Sequence, residues 1–347
     1  MLRKGLFLLV LAFVCILVDA QESRISWGVD VTTEAQWNTS NGKARWQNVL
    51  NAGLGVKLWK GAFIDVSALS TYALGDGVCD DLQGFSNIDA DNRWFRLTHL
   101  GLGQSFFDDR LTVFVGLKAA DEDYFNTDLS GLFTGSSYGG NPVCTENHGI
   151  SVYPEAALAL HVSYEHNGWT LRESLYNGAP SDRLEEQFRF RPASDGLFNI
   201  GSVMYSDKSE EDFVPSTYTL GYALSTKAVT GQTQFGLWGG VEQSLLRMGR
   251  ARLNMLAQGG VQLTSNASCR CYWAGALVAE NVTRLGAQVG LAMNGCYFAD
   301  AEEIDVELTV NCPIGLGFSV QPALHSIFTN GRYNLAGMLR LCYSIGN

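Results

Sequence analysis

Along the end of the chain Tyr333, Leu335, Gly337, Leu339, Leu341, Tyr343 and Ile345 take every second position, with Asn334, Ala336, Met338, Arg340, Cys342 and Ser344 between them. Successive side chains of a strand point to opposite faces, so this segment is a strand with one oily and one permissive face. Leu111, Val113, Val115 and Leu117 alternate with Thr112, Phe114, Gly116 and Lys118 in the same way. Scanning for this period predicts sixteen strands, over 26–33, 47–58, 62–72, 92–105, 110–118, 153–164, 169–176, 197–206, 216–226, 232–245, 251–263, 270–280, 284–293, 302–311, 314–327 and 333–345. An even number of antiparallel strands returns both termini to one side. Counting FRFRP at 188–192 would make seventeen and move the connection at 247–250 to the opposite side, so that stretch is assigned to a loop.

The connections have their own rhythm. Short ones, WKGA at 59–62, FDDR at 107–110, EHNG at 165–168, RMGR at 247–250 and ENVT at 280–283, alternate with longer polar ones. Segments of roughly ten alternating residues joined in this way predict an all-β fold, a transmembrane antiparallel barrel with short periplasmic turns and long extracellular loops. A soluble β-sandwich also alternates, but its oily face points inward. Two features favour oily-out. Aromatic residues stand at strand ends, at Trp59, Trp169 and Tyr343. The chain also opens with Arg3 and Lys4, an apolar run from Leu6 to Val18, and the small-residue site Val18, Asp19, Ala20. That is the pattern of a cleaved secretory signal peptide over 1–20, leaving 21–347 as one barrel domain. Val14 precedes Cys15 where a lipid-anchored cysteine needs a small residue. Past Gln21 no run reaches the roughly 18 apolar residues of a membrane-spanning helix.

Composition narrows the chemistry. The 38 glycines against 7 prolines, with only 17% charged residues, suit many strands with two unlike faces. A net charge of −11 without any basic run excludes a nucleic-acid partner, which needs a cationic footprint to neutralise phosphates. The neighbouring carboxylates Asp121 and Glu122, or Asp80 and Asp81, are adjacent in sequence, whereas a glycoside hydrolase needs two carboxylates opposed across the sugar. No nucleophile elbow and no phosphate-binding loop is present, so neither catalysis nor a cofactor is expected. The five histidines and seven cysteines of the mature chain form neither HExxH nor CxxC, so no metal site is expected either.

The run SNIDADNRWFRLTHLGLGQSFFDDRLTVFVGLKAADEDYFNTDLSGLFTGSSYG at 86–139 resembles the core of the OprB family of carbohydrate-selective porins. FRFRPASDGLFNIGSVMYS at 188–206 and FSVQPALHSIFTNGRYNLAGMLRL at 318–341 extend the resemblance in family order. It implies a monomeric sixteen-stranded barrel in the bacterial outer membrane, passing small carbohydrates down their gradient. The implied partners are those sugars, outer-membrane lipid and the barrel-assembly machinery. The chain departs from the family's pattern in its many cysteines, in its short length, and in ending on Tyr343, Ser344, Ile345, Gly346 and Asn347 rather than a terminal aromatic residue.

A sugar-selective pore needs hydrogen-bonding and charged groups at a narrow place. Lys118, Asp121 and Glu122 leave the top of one strand and run into the Gly-rich GLFTGSSYG, which is long and polar enough to fold into the lumen. Arg93, Trp94 and Arg96 begin the neighbouring strand at the same expected height, so opposite charges would face each other there, with Trp94 as an aromatic face for a pyranose. Strict alternation would put Arg96 on the oily face with Leu100 and Leu102. By the same topology Cys79 and Cys144 lie in loops on one side and are expected to pair, and Cys271, or its neighbour Cys269, is expected to clasp Cys296 at the outer rim. Cys312 and Cys342 fall nearer the periplasmic side. The alternative reading is an outer-membrane or secreted β-rich carbohydrate-binding or structural protein with a plugged lumen.

Overall fold

The computed structural model describes residues 24–207, 216–227 and 231–347, so the leader lies outside the described residues. The strands are β1 (Ile25–Asn38), β2 (Ala44–Lys57), β3 (Ala62–Leu74), β4 (Arg93–Phe106), β5 (Leu111–Lys118), β6 (Ala157–His166), β7 (Trp169–Asn177) and β8 (Leu197–Asp207). They continue as β9 (Ser216–Ser225), β10 (Gln234–Met248), β11 (Ala251–Gln262), β12 (Cys269–Glu280), β13 (Gln288–Phe298), β14 (Glu302–Gly315), β15 (Phe318–Thr329) and β16 (Arg332–Gly346). Each pairs with its sequence neighbours, and β1 closes antiparallel on β16 from Gly28↔Gly346 to Asn38↔Ala336. A closed barrel leaves no unpaired edge, which satisfies the backbone in lipid.

Every strand expected from the alternation is present, and FRFRP lies in a loop, its first four residues joining the helical turn Leu184–Gln187 to the turn Pro192–Asp195 that its proline opens. Boundaries move where turn chemistry takes over. β13 starts at Gln288 rather than 284 because Thr283 Oγ1 and Thr283 O accept the Ala287 and Gly286 N–H groups, winding 283–287 into a turn.

The oily face points outward. On β16 Ala336 and Met338 are fully buried while Leu339 is 48% and Leu341 39% exposed. Aromatic pairs mark both ends of the wall, Trp169 with Tyr205 and Phe318 with Tyr343 at the turn side, Phe328 with Tyr333 at the other. One carboxylate breaks the pattern. Glu173 faces outward on β7, where Tyr222 Oη and Asn199 Nδ2 donate to its Oε1 at 2.8 and 2.5 Å.

Both termini and the tight turns, such as 167–168 and 249–250, share one end of the barrel. The other end carries three long connections, called here the rim loop (75–92), the inner loop (119–156) and the cover loop (178–196). The later connections at this end, 299–301 and 330–331, are as tight as the turns opposite. Length on the extracellular side is therefore concentrated in three loops rather than spread around the rim.

Candidate channel constriction

β5 is the shortest strand at 8 residues and stops at Lys118, while β4 continues upward from Leu100, its last partner on β5. The chain leaves the wall at this notch and turns into the barrel. Asp121, Glu122 and Asp123 open a helical turn, Asp121–Tyr124, whose free N–H groups favour acids there. The neck is closed by Ala120 N donating to Ser151 O at 2.6 Å and Ser151 Oγ to Lys118 O at 2.8 Å.

Between those points the inner loop crosses the lumen and is tied to the far wall by luminal acids. Leu129 N–H and the Thr127 hydroxyl donate to Glu242 on β10. Thr134 N, Thr134 Oγ1 and Gly135 N donate to Glu307 on β14 at 2.8, 3.0 and 3.2 Å. Next to it His325 bridges Thr134 Oγ1 and Asp305, each at 2.8 Å. Asn147 brackets Cys269, donating to its carbonyl and accepting its N–H at 2.6 and 3.1 Å. Phe133, Tyr138 and Val143 pack on Tyr272, Val278 and Ala292, and Tyr124 and Phe125 pack on Tyr176, Phe198 and Trp238. The rim loop is held likewise, Leu82 and Gln83 N–H groups binding Glu303 at 2.7 and 3.0 Å. The inner loop covers the inner face over β6 to β15, and the rim loop covers the upper inner face of β16, β1 and β2, where Val78 and Ser86 meet Asn38, Glu34 and Gln47. The wall left accessible is the turn-side half of β1 to β4, near Ser26, Gly55 and Asp65.

The expected constriction residues separate into two groups. Lys118 is buried and pairs with Asp123 at 3.0 Å rather than with Asp121 or Glu122. Glu122 is exposed toward the lumen beside Asp65 and His99. Asp121 is turned into the protein: its Oδ1 is buried without a partner, Oδ2 accepts the Tyr153 N–H at 3.4 Å, and burial with the neighbouring Glu122 charge pushes its carboxyl up to about 7. Glu122 is raised as well, by burial against the opposing pull of Lys118.

Arg93 and Arg96 stand higher on the wall than Lys118, because Leu117 pairs with Leu100 and leaves Lys118 level with His99. The expectation of equal height is corrected by that register. Their counter-charge is Asp182 of the cover loop, 2.9 Å from Arg93 and 3.6 Å from Arg96. Arg96 also corrects the alternation. Register shifts between β3 and β4 put Leu69 opposite Arg96 and Ser67 opposite His99, so two residues fall between inward positions and Arg96 turns into the barrel, donating to Thr71 Oγ1 at 2.6 Å. A bulge inserts one unpaired residue and flips everything beyond it. Trp94 is 79% exposed and packs against Phe95, away from the charged groups.

The cover loop seals the notch left by β5. Ser181 bridges to Ala156, and Gln187 Nε2 donates to Leu97 O at 2.7 Å, over buried Leu97 and Leu117. Asp65, His99 and Asp182 were not expected at the site; Asp123 belongs to the acidic run expected to enter the lumen. Asp65 and His99 were legible as inward positions of β3 and β4 from the alternation alone, because both lie below the bulge; Asp182 carried no signal, since its loop is placed by tertiary contacts alone.

All seven described cysteines carry free thiols. The expected pairings are redrawn by side-chain direction. Cys79 packs with Phe85, Ile327 and Met338, while Cys144 lies in the separate cluster of Tyr176 and Trp238, so the structure does not bring these two together. Cys271 pairs with the outward Val261 and Tyr297, whereas Cys269 points inward and its Sγ lies 3.0 Å from Cys296 Sγ. A register shift between Cys269 and Cys271 makes that difference.

The sequence profile of the family described as carbohydrate-selective porin, OprB family, matches residues 69–234. The matched segment is similar to the OprB family. The match takes in the notch, the inner loop and the cover loop, together with the OprB-like runs at 86–139 and 188–206. The fold is similar to OprB of Pseudomonas putida at high pH, with 16% identity, 92% of this chain and 94% of that chain covered, and a TM-score of 0.78. At low pH that protein matches with 18% identity, 92% of both chains and a TM-score of 0.63. An anion-selective porin from Comamonas acidovorans shares 14% identity over 92% of this chain and 99% of that one, with a TM-score of 0.59. No curated protein sequence matches the chain.

Proposed function

We propose that the protein is an outer-membrane porin through which small sugars diffuse passively, past a charged constriction built where the inner loop leaves β5. The observation that carries this is the inner loop itself, folded into an oily-out barrel and tied to the far wall by Glu242 and Glu307, so that free lumen is confined beside β1 to β4. The charged groups at the loop neck are Glu122 and the Lys118–Asp123 pair, with Arg93 and Arg96 on Asp182 above them. Pores select by radius and by the groups that line them. A channel rather than an enzyme fits this geometry. Export by a cleaved leader, outer-membrane lipid around the apolar belt and insertion by the barrel-assembly machinery complete the reading. The purified full chain in a planar bilayer is expected to give open channels whose current neutral monosaccharides reduce. A silent bilayer would instead favour the plugged-lumen reading.

A further inference from the structure

The cover loop occupies a gap in the wall. β5 has 8 residues and ends at Lys118. At the usual strand tilt it rises about 20 Å, against an apolar belt of about 25 Å. Beyond Leu100, its last residue paired with β5, the edge of β4 from 93 to 99 has no strand beside it on that side. Across β4, Arg93 stands opposite Thr71, next to the exposed Tyr72, and the exposed Trp46 faces Leu74 two residues further up β3. Aromatic residues of this kind mark the border between lipid and water. The gap lies below that border, at the depth of acyl chains.

The loop is tied into this gap on both sides. Ser181 bridges to Ala156 beside β6, Gln187 Nε2 donates to the Leu97 carbonyl on the bare edge of β4, and Asn177 at the end of β7 donates to Asp195 at 3.0 Å. Such bonds replace the water that a strand edge cannot find in lipid. Asp182 turns to Arg93 and Arg96. The apolar side chains of the loop do not follow it inward: Leu184, Phe188 and Phe190 are 50%, 46% and 53% exposed and join none of the buried clusters. Between and beside them the cations divide. Arg189 is paired with Asp195 at 2.9 Å, whereas Arg183 only reaches Glu186 at 3.7 Å, and the exposed Arg191 guanidinium has no carboxylate partner among the described residues.

We propose that the cover loop is a lipid-docking surface in the extracellular leaflet, with Leu184, Phe188 and Phe190 among acyl chains and Arg183 and Arg191 on the phosphates of anionic head groups. The occupant follows from continuity with the belt. Val115 on β5 and Leu160 on β6 face lipid directly below the gap, and the loop carries the same apolar surface upward where β5 stops. Charge agrees with position, since the unpaired guanidinium forks match phosphate oxygens and the aromatic rings beside them match the chains below, the division of labour of an interfacial anchor. The FRFRP run, which adds no strand to the barrel, thereby gains a role. The proposal rests on the lipid-facing reading of the oily wall and not on what passes through the pore.

The test uses the purified full chain in phosphatidylcholine vesicles doped with a photoactivatable lipid, either phosphatidylglycerol or phosphatidylcholine, each carrying the same diazirine-bearing acyl chain. Adducts are mapped by mass spectrometry after illumination. Residues 184–190 are expected to be labelled together with Val115 and Leu160, while Leu82 on the rim loop, exposed but away from the belt, is not. The anionic probe should label 184–190 in preference to the neutral one. Arg183→Ala/Arg191→Ala should reduce that preference on the order of tenfold, the effect of two arginines at an anionic surface, and leave labelling of Val115 unchanged. Labelled Val115 and Leu160 with 184–190 untouched overturns the docking surface and leaves the membrane barrel standing. Equal labelling of 184–190 by both probes, or a preference that survives the double variant, overturns the head-group assignment. Absence of adducts at Val115 and Leu160 as well overturns the lipid-facing wall itself.

Discussion

Asp121 and Glu122 are adjacent, yet their surroundings give them different work. Glu122 reaches the lumen, while Asp121 supports the loop neck with its carboxyl pushed up to about 7 by burial. A carboxyl raised in the folded state holds a proton that the unfolded chain has released. Its contribution is fully present below the ordinary carboxyl range, falls as pH rises toward 7, and is absent above it. Amide exchange of residues 119–126, corrected for intrinsic rates, should show the neck opening more readily at pH 8 than at pH 5, and Asp121→Asn should flatten that difference. An unchanged slope in the variant would assign the effect to another group. The thiols make a similar point. The rim-loop Cys79 is pushed up to about 12, by burial first and then by the Asp81 carboxylate, so it is a poor nucleophile at neutral pH. In an oxidising compartment Cys269 and Cys296 are the pair placed to bond, by exchange with the disulfide of an oxidising catalyst that leaves as the dithiol, clasping the β12–β13 hairpin where Asn147 docks. Non-reducing peptide mapping should find a Cys269–Cys296 bond and leave Cys271 alkylatable; a Cys271–Cys296 bond would contradict the inward placement of Cys269.

β14 is the element on which the interior hangs. Its inward positions Glu303, Asp305, Glu307 and Thr309 alternate with outward Ile304, Val306 and Leu308, so one strand presents a ladder of acids to the lumen and hydrocarbon to the lipid. Two of those acids hold two different loops through backbone N–H groups, and hydrogen bonds to charged groups are the stronger kind. Glu307→Ala removes three acceptor contacts at the apex of the inner loop. Loss of about 3 kcal/mol of anchoring is expected, read as roughly a hundredfold drop in exchange protection at Thr134 and Gly135. Noisier channel current should accompany it. Protection unchanged in the variant would show that packing of Phe133 and Tyr138 alone fixes the apex.

At the scale of the whole molecule the barrel is lopsided by construction. β5 to β9 are a run of short strands, with 8 to 11 residues, and the inner and cover loops rise from this side. The inner loop leaves through the notch above β5, fills the lumen toward β15, and the cover loop closes the gap behind it. The uncovered wall is thereby displaced toward the turn-side half of β1 to β4, whose inner faces are rich in glycine and small hydroxyl residues. The position of the charged groups follows from the same asymmetry. Arginines sit high, matched by Asp182, and the free acids sit lower, facing bare wall.

The strand number, the parity that returns both termini to one end, and the outward direction of the oily face were all determined by the sequence. The outward direction was read from the leader and the aromatic strand ends, since alternation alone fits either direction. Strand number and parity are encoded locally, because alternation with period two reports a strand and its two faces without reference to any other part of the chain. Lys118 and Glu122 could be placed near the lumen for the same reason, as the end of a read strand. What only the tertiary structure decided depends on contacts between distant segments. The bulge between Ser67 and Ala68 that turns Arg96 inward is set by pairing with β3, the shift that makes Cys269 rather than Cys271 face Cys296 is set by pairing with β13, and Asp182 reaches Arg93 only because a loop some ninety residues downstream caps the notch of β5. A polar loop has no periodic signal, and a register shift of one residue leaves the composition of a strand unchanged while exchanging its faces.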